Sequence, residues 1–146
     1  MAITRGLAAA AILAGVAFGT ASAALADQPT MSGHYIKTSS AVNAPPGTPS
    51  TTSDWYATPC GDGCSSISDP GGVLGQVRLV NGQWTMDATM NAQCVDGSQV
   101  PAALSVHYTW DPNTLAGSSQ TTAKVSECGQ PVGYQQTNNL QLRQAA

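Results

Sequence analysis

Residues 73–90, which read VLGQVRLVNGQWTMDATM, carry the clearest structural signal in the sequence. Asn81 and Gly82 stand between two segments in which apolar and polar residues alternate. Asn-Gly in this position favours a two-residue hairpin turn, because both residues tolerate the positive φ that such a turn requires. Residues 73–90 therefore predict an antiparallel β-hairpin.

The alternation also predicts the register of this hairpin. With Asn81 and Gly82 as the loop, Leu79 lies opposite Trp84. Apolar pairs then share one face, which is the arrangement expected when only that face is buried. The next apolar pair is Val77 and Met86, and the polar side chains of the other face are Arg78, Thr85 and Asp87.

Residues 104–110 continue the pattern towards the C-terminus, with a period of two that ends at Trp110. The turn sequence DPNT follows at 111–114 and predicts a return strand over about 115–127, with Trp110 opposite Leu115. Shorter alternating segments predict further strands at 33–38, 54–58, 65–68 and 139–143.

About seven or eight strands and no amphipathic helix of useful length indicate an all-β protein. The turn spacing fits an antiparallel β-sandwich or a small half-closed barrel, and does not separate the two. Residues 39–53, SSAVNAPPGTPSTTS, contain three prolines and predict an extended surface loop. That loop is either bare or decorated with O-linked sugar.

The four cysteines predict two disulfides, Cys60–Cys64 and Cys94–Cys128. The first pair brackets a tight Gly-Asp-Gly turn that brings the two Cβ atoms within bridging range. The predicted strands carry Cys94 and Cys128 to the same end of the sheet. A four-cysteine zinc site or a redox dithiol would instead favour a C-x-x-C spacing, which the chain lacks.

Residues 1–26 have the order of a cleavable secretory signal. Arg5 precedes an uncharged apolar run, and small residues close it with two A-x-A cleavage patterns, after Ala23 and after Ala26. The polar start at Asp27 favours the second cut. The apolar run is shorter than a membrane span requires, so the mature chain is predicted to be a single secreted domain, residues 27–146, with no membrane span.

The charge pattern of the mature part argues against nucleic acid as a partner, because four scattered cations form no phosphate-binding surface. An unidentified extracellular protein or glycan fits better, since hydroxyl and amide side chains dominate the surface. No cofactor is predicted. The four cations are Lys37, Arg78, Lys124 and Arg143.

Several motifs, spread over most of the mature chain, resemble a group of small exported proteins of mycobacteria and related actinobacteria whose function is unknown. The most specific is TPCGDGC at 58–64. The resemblance implies export and a binding or sensing role, at most, outside the cell or at the cell envelope, and it supplies no catalytic residues. The other motifs are GHY at 33–35, DWY at 54–56, GQW at 82–84, CVDG at 94–97, YTWD at 108–111 and CG at 128–129.

No catalytic constellation is evident in the sequence. His34 and His107 are the only histidines, and both alternate with predicted core positions, so both should face solvent. No G-x-S-x-G motif is present. Most aspartates adjoin Gly or Pro, where Asp is common because its side chain hydrogen-bonds to the backbone of a turn. The sequence also lacks a calcium-loop pattern that would support a Ca²⁺ site.

The aromatic residues suggest where a ligand would bind. Trp84 and Trp110 alternate with aliphatic residues and are predicted to be core. Tyr56 is out of phase with Trp55 and is predicted to face outwards, so Tyr56 and His107 are the candidate ligand contacts. The sequence favours a non-enzymatic extracellular binding protein. The alternatives are a small barrel holding an apolar or sugar ligand among its aromatics, and a small secreted hydrolase.

Overall fold

The hairpin at Asn81 and Gly82 has the predicted register. In the computed structural model, which describes residues 28–146, these residues adopt positive φ angles of 50° and 80°. Leu79 lies opposite Trp84. The alternation of apolar and polar residues is thus sufficient to fix this part of the sheet.

Eight antiparallel strands close into a barrel, in which each strand pairs with its neighbours along the chain and the last strand pairs with the first. The all-β prediction is confirmed, and between sandwich and barrel the structure is a closed barrel. The strands are β1 (Gly33–Ala41), β2 (Thr51–Gly61), β3 (Cys64–Asp69), β4 (Gly72–Val80), β5 (Gln83–Gln93), β6 (Gln99–Trp110), β7 (Ala116–Ala123) and β8 (Gln135–Gln144).

The proline-rich loop is shorter than residues 39–53. Ser39 pairs with Thr51, so β1 and β2 extend into both ends of the predicted loop. Only residues 42–50 connect the two strands. Ser and Thr fit an extended strand as well as a loop, and it is the prolines that confine the connection to the centre of the segment.

The predicted pairing of Trp110 with Leu115 is wrong by two residues, because Trp110 lies opposite Gly117. Leu115 has a φ of 59° and still belongs to the turn. Gly117 fits this position because a Cβ there would lie 2.6 Å from the Cα of Trp110. A shift of two residues keeps each side chain on its predicted face, so the core assignment survives.

Both predicted disulfides are present, with Cα–Cα distances of 5.1 Å for Cys60–Cys64 and 4.9 Å for Cys94–Cys128. The Cys60–Cys64 bridge joins β2 to β3 at one end of the barrel. The second bridge ties the β5–β6 turn to the β7–β8 connection at the opposite end. Two disulfides are typical of a protein that matures in an oxidising compartment.

The centre of the barrel is a filled apolar core. Trp55, Trp84 and Trp110 each retain only 1% of their surface exposed, which confirms the core prediction for the last two. On β8, Leu140 and Leu142 share the inward face and are 3% and 2% exposed.

One end of the barrel, where β1, β3, β5 and β7 begin, is sealed. Met31 precedes β1 and is 2% exposed among the core residues. The buried Ser65 hydroxyl donates a hydrogen bond of 2.7 Å to the Met31 carbonyl oxygen. We call this the closed end, formed by Met31, Ser65, Trp84 and Trp110.

The predicted signal segment, residues 1–26, lies outside the described residues. Among residues 28–146, no helix is long and apolar enough to cross a membrane.

Candidate functional site

Tyr56 and His107, the candidate ligand contacts, both lie on the outer face of the barrel. Tyr56 is 44% exposed on β2, as its phase relative to the buried Trp55 predicts. His107 is exposed on β6 between two inward-facing neighbours. Three strands separate β2 from β6 in either direction around the barrel. One cleft therefore cannot hold both side chains, and ligand contact by either stays a prediction.

Each histidine is paired with an aspartate of the neighbouring strand. His34 Nε2 lies 2.8 Å from Asp54 Oδ1, and His107 Nδ1 lies 2.6 Å from Asp87 Oδ1. The two imidazole side chains are 38% and 49% exposed, which confirms that they face solvent. His34 also stacks on Tyr56, with ring centroids 4.8 Å apart.

These pairs lack the nucleophile that a hydrolase requires, namely a hydroxyl or thiol bonded to the remaining imidazole nitrogen. Within residues 28–146, neither imidazole is hydrogen-bonded to a hydroxyl, and the cysteines there are all in disulfides. At such exposure an ion pair contributes about 1 kcal/mol or less to stability. The His–Asp pairs are surface hydrogen bonds that join adjacent strands.

Aspartates of the turns accept hydrogen bonds from backbone amides of the same turns. Asp69, Asp96 and Asp111 accept hydrogen bonds from the backbone amides of Gly71, Ser98 and Asn113 at 2.7–2.9 Å. The pKa of Asp96 is lowered by its bonds from Ser98, and that of Asp111 by the amides of Thr114 and Asn113. No cluster of three potential metal ligands occurs in the described part of the chain.

The end of the barrel opposite the closed end is more open and more polar. We call it the mouth; it is ringed by loops 42–50, 70–71, 94–98 and 124–134. Inward-facing positions near it are only half-buried and carry polar side chains, among them Ser39, Thr121 and Asn138. A polar ligand could therefore reach the barrel interior only from this side.

Lys37 points into the mouth. It lies on β1, two residues after the buried Tyr35 and opposite the buried Leu142 of β8. Its Nζ lies 5.1 Å from the ring centroid of Trp55 and 5.6 Å from that of Tyr108. These contacts place a primary ammonium over the aromatic floor of the mouth, where the ring faces attract it.

The Lys37 ammonium has no close carboxylate. Within residues 28–146, the contacts of less than 4 Å between a basic and an acidic side chain are the two His–Asp contacts, so none joins Lys37 to a carboxylate. Burial lowers the pKa of Lys37, and the more distant charge of Asp69 offsets only part of that effect. A half-buried cation without a paired anion is costly, because desolvation disfavours its charged form.

Ser53 lies directly opposite Lys37, on β2. Its Oγ is fully buried and has no hydrogen-bond partner among the described residues. Nearly all buried hydroxyls in proteins are hydrogen-bonded, so such an exception calls for an explanation. Lys37 and Ser53 thus present two adjacent donor groups on the inner wall of the mouth.

Tyr108 supplies a third, weakly satisfied donor at the floor of the mouth. Its hydroxyl donates only to the Met90 sulfur, at 3.6 Å, and thioether sulfur is a weak acceptor. Burial, reinforced by the negative charge of Asp69, raises the pKa of Tyr108 to about 12. The phenol therefore stays protonated and remains a donor at physiological pH.

The rim of the mouth carries exposed apolar side chains among its polar ones. They lie on loops 42–50, 94–98 and 124–134 and at the start of β4. A hollow of about 200 Å³ between β6, β7 and loop 124–134 has Leu104, Ala123 and Tyr134 in its lining. The exposed rim residues are Val42, Val73, Val95, Val132 and Tyr134.

The aromatic core leaves no room for a ligand among its rings. Trp55 packs edge-on against Tyr108 at 5.2 Å and against Trp110 at 5.9 Å between ring centroids. Because all three rings are almost fully buried, a ligand lying among them would have to displace core packing. Binding at the mouth avoids that cost.

Sequence reasoning missed Lys37 and Ser53 as site residues. A signal was available for Lys37, since strict alternation from Tyr35 places it on the inward face. Ser53 carried no such signal, because it fell within the segment predicted to be a loop. Comparison with protein-family models, with curated proteins and with solved structures finds no match.

Proposed function

We propose that this protein is exported and acts outside the cell, or at the cell envelope, as a non-enzymatic binding protein whose mouth receives the ligand. The observation that carries the proposal is the pair formed by Lys37 and Ser53, two donor groups without a strong acceptor on the inner wall of the mouth. Binding sites are concave and combine apolar surface with a few convergent polar groups. The mouth has a polar inner wall with Lys37 and Ser53, and exposed apolar side chains such as Val132 and Tyr134 on its loops.

Export is supported by the signal-like order of residues 1–26 and by the two disulfides. The resemblance to small exported mycobacterial and actinobacterial proteins points the same way. Expression of the full chain in an actinobacterial host tests it: the culture medium or the cell wall should contain protein that begins at Asp27. Recovery of only uncleaved, reduced chain from the cytoplasm would contradict export.

Binding at the mouth is tested by nuclear magnetic resonance of the ¹⁵N-labelled secreted protein. A panel of soluble probes would cover carboxylates, sugars, alcohols and short peptides. Chemical-shift changes should cluster on mouth residues such as Lys37, Ser53 and Tyr134. Changes confined to the outer face around Asp87 and His107 would overturn the assignment of the mouth.

A secreted hydrolase is the competing function, and the Asp87–His107 pair is the feature that suggests it. The wild type and an H107A variant should both be inactive on ester, glycoside and peptide substrates. Turnover by the wild type that disappears in H107A would establish an enzyme and refute the proposed function.

A further inference from the structure

We propose that the mouth binds an amphipathic organic monoanion, a carboxylate carried on an apolar chain, with Lys37 and Ser53 holding the carboxylate oxygens. This inference rests on the proposed function, because it assigns a ligand class to the same site.

The first reason is the balance of donors and acceptors on the inner wall. The Lys37 ammonium, the Ser53 hydroxyl and the Tyr108 hydroxyl offer donors. Among residues 28–146, neither Lys37 nor Ser53 meets an acceptor, and the Tyr108 hydroxyl donates to a thioether sulfur. Asp69 is the carboxylate that acts on both Lys37 and Tyr108, and its Oδ1 already accepts the Gly71 amide. A site rich in free donors is completed by a ligand that brings acceptor oxygens.

The second reason is charge. A half-buried ammonium without a close carboxylate gains most from a negatively charged partner, because charge-assisted hydrogen bonds are about twice as strong as neutral ones. One cation, with Asp69 also near it, suits a single negative charge. A phosphate dianion would add a second charge that is repelled by Asp69, and the inward-facing positions described for the mouth offer no cation besides Lys37 to balance it.

The third reason is the set of exposed apolar side chains on the rim. The filled core excludes a long chain from the centre of the barrel, whereas Val42, Val132 and Tyr134 lie exposed around the mouth. An alkyl chain whose carboxylate sits at Lys37 would cover these side chains and enter the hollow lined by Leu104 and Ala123. Each CH₂ group removed from water contributes about 0.8 kcal/mol in transfer experiments, so a chain gives affinity that acetate lacks.

The test is isothermal titration calorimetry of the secreted protein with laurate below its micelle concentration. Dodecanol, acetate and dodecyl phosphate are the comparison ligands. Laurate should bind, dodecanol and dodecyl phosphate should bind at least 10-fold more weakly, and acetate should give no measurable heat. Equal binding of laurate and dodecanol would overturn the role of the carboxylate.

Laurate binding by three variants tests which side chains hold the carboxylate. K37M should weaken laurate binding roughly 10- to 100-fold, which is the effect of losing a hydrogen bond to a charged group. S53A should weaken it roughly 3- to 10-fold. K124M is the matched control, because Lys124 lies on the rim of the mouth, exposed to solvent directly after the buried Ala123, and so away from the inner wall. It should change binding less than 2-fold. Laurate binding that is the same in K37M and K124M would refute the inference.

The fold of each variant is checked by the near-ultraviolet circular dichroism of its buried tryptophans. If the spectrum shows that K37M has changed the packing of the core, the weaker laurate binding expected of S53A tests the inference in its place. If the nuclear magnetic resonance panel shows a sugar or a peptide at the mouth while laurate does not bind, the proposed function stands and this ligand class fails. If every ligand binds only outside the mouth, both fail.

Discussion

The two ends of the barrel follow the same alternation of inward and outward residues, yet they differ in what they place inside. At the closed end, inward positions hold Met31, Trp84 and Trp110, and the Ser65 hydroxyl is satisfied by a backbone carbonyl. At the mouth, inward positions hold Lys37 and Ser53, which have no such partners among the described residues. At the closed end, Trp110 Nε1 is buried and likewise has no hydrogen-bond partner within that part of the chain.

This difference assigns stability mainly to the closed end and ligand binding to the mouth. Apolar burial is the main favourable term in folding, so the closed end contributes most of the stability. Unpaired polar groups in the mouth reduce the stability of the free protein, and they contribute favourably only when a ligand forms hydrogen bonds with them. Changes at the closed end should therefore damage folding, and changes in the mouth should damage binding.

The largest effect is expected from W84A at the closed end. Removing a fully buried indole should lower the free energy of unfolding by about 3–5 kcal/mol, since a cavity replaces apolar contacts. Urea unfolding followed by far-ultraviolet circular dichroism measures it. The mouth control, S53A, should not lower stability, because it deletes a buried hydroxyl that has no hydrogen-bond partner among the described residues. Equal losses in the two variants would break the distinction between the ends.

The disulfide at the mouth should contribute more to stability than the disulfide at the closed end, whereas apolar packing contributes more at the closed end. The mouth bridge, Cys94–Cys128, closes a span of 34 residues, whereas Cys60–Cys64 closes a span of 4. In the chain-entropy model their removal costs about 4 and about 2 kcal/mol, respectively. The double variants C94A/C128A and C60A/C64A, compared by chemical unfolding, test this order. A larger loss for C60A/C64A would show that native contacts, and not loop length, set the contribution of each bridge.

Tyr108 should make stability fall at high pH. Its pKa is raised to about 12 in the folded protein from about 10 in an unfolded chain. Between these values the unfolded state has already released its proton and the folded state has not, so unfolding is favoured as pH rises. The loss over this window is about 2–3 kcal/mol. Unfolding of wild type and Y108F at pH 9 and pH 11.5 should show this loss only in the wild type.

The smallest effect is expected from K37M on stability. The pKa of Lys37 is lowered by burial, so the unfolded chain binds more protons than the folded one just below the ordinary lysine pKa. Stability conferred by this residue therefore increases as pH rises through that window. K37M removes the buried charge and should stabilise the protein by about 1 kcal/mol at pH 7. K124M should be neutral. Destabilisation by K37M would show that the contacts of the ammonium with the rings of Trp55 and Tyr108 outweigh the cost of burying its charge.

Local signals in the sequence predicted the hairpins better than the closure of the barrel. Asn81 and Gly82 determine their own turn, so the pairing of Leu79 with Trp84 followed from neighbouring residues alone. The pairing of β1 with β8 joins residues about a hundred positions apart, and no local pattern specifies it. The predicted β6–β7 register was wrong because Leu115 adopts a left-handed backbone conformation, which is uncommon for a residue other than glycine. This conformation keeps Leu115 in the turn, so β7 begins later than the sequence suggested.

The candidate site was harder to predict than the fold. Tyr56 and His107 were correctly placed on the outer face, yet the distance between them around the barrel depends on the strand order, which alternation does not reveal. The significance of Lys37 depends on the aromatic rings of β2 and β6 beneath it. Only the assembled barrel brings these three strands to one mouth.

The most direct test of the account is a crystal structure of the secreted protein with 12-bromododecanoate. We expect carboxylate oxygens within about 2.7–3.2 Å of Lys37 Nζ and Ser53 Oγ, with the anomalous signal of bromine on the rim near Tyr134. Bromine bound elsewhere, with Lys37 turned towards a carboxylate of the protein, would contradict it.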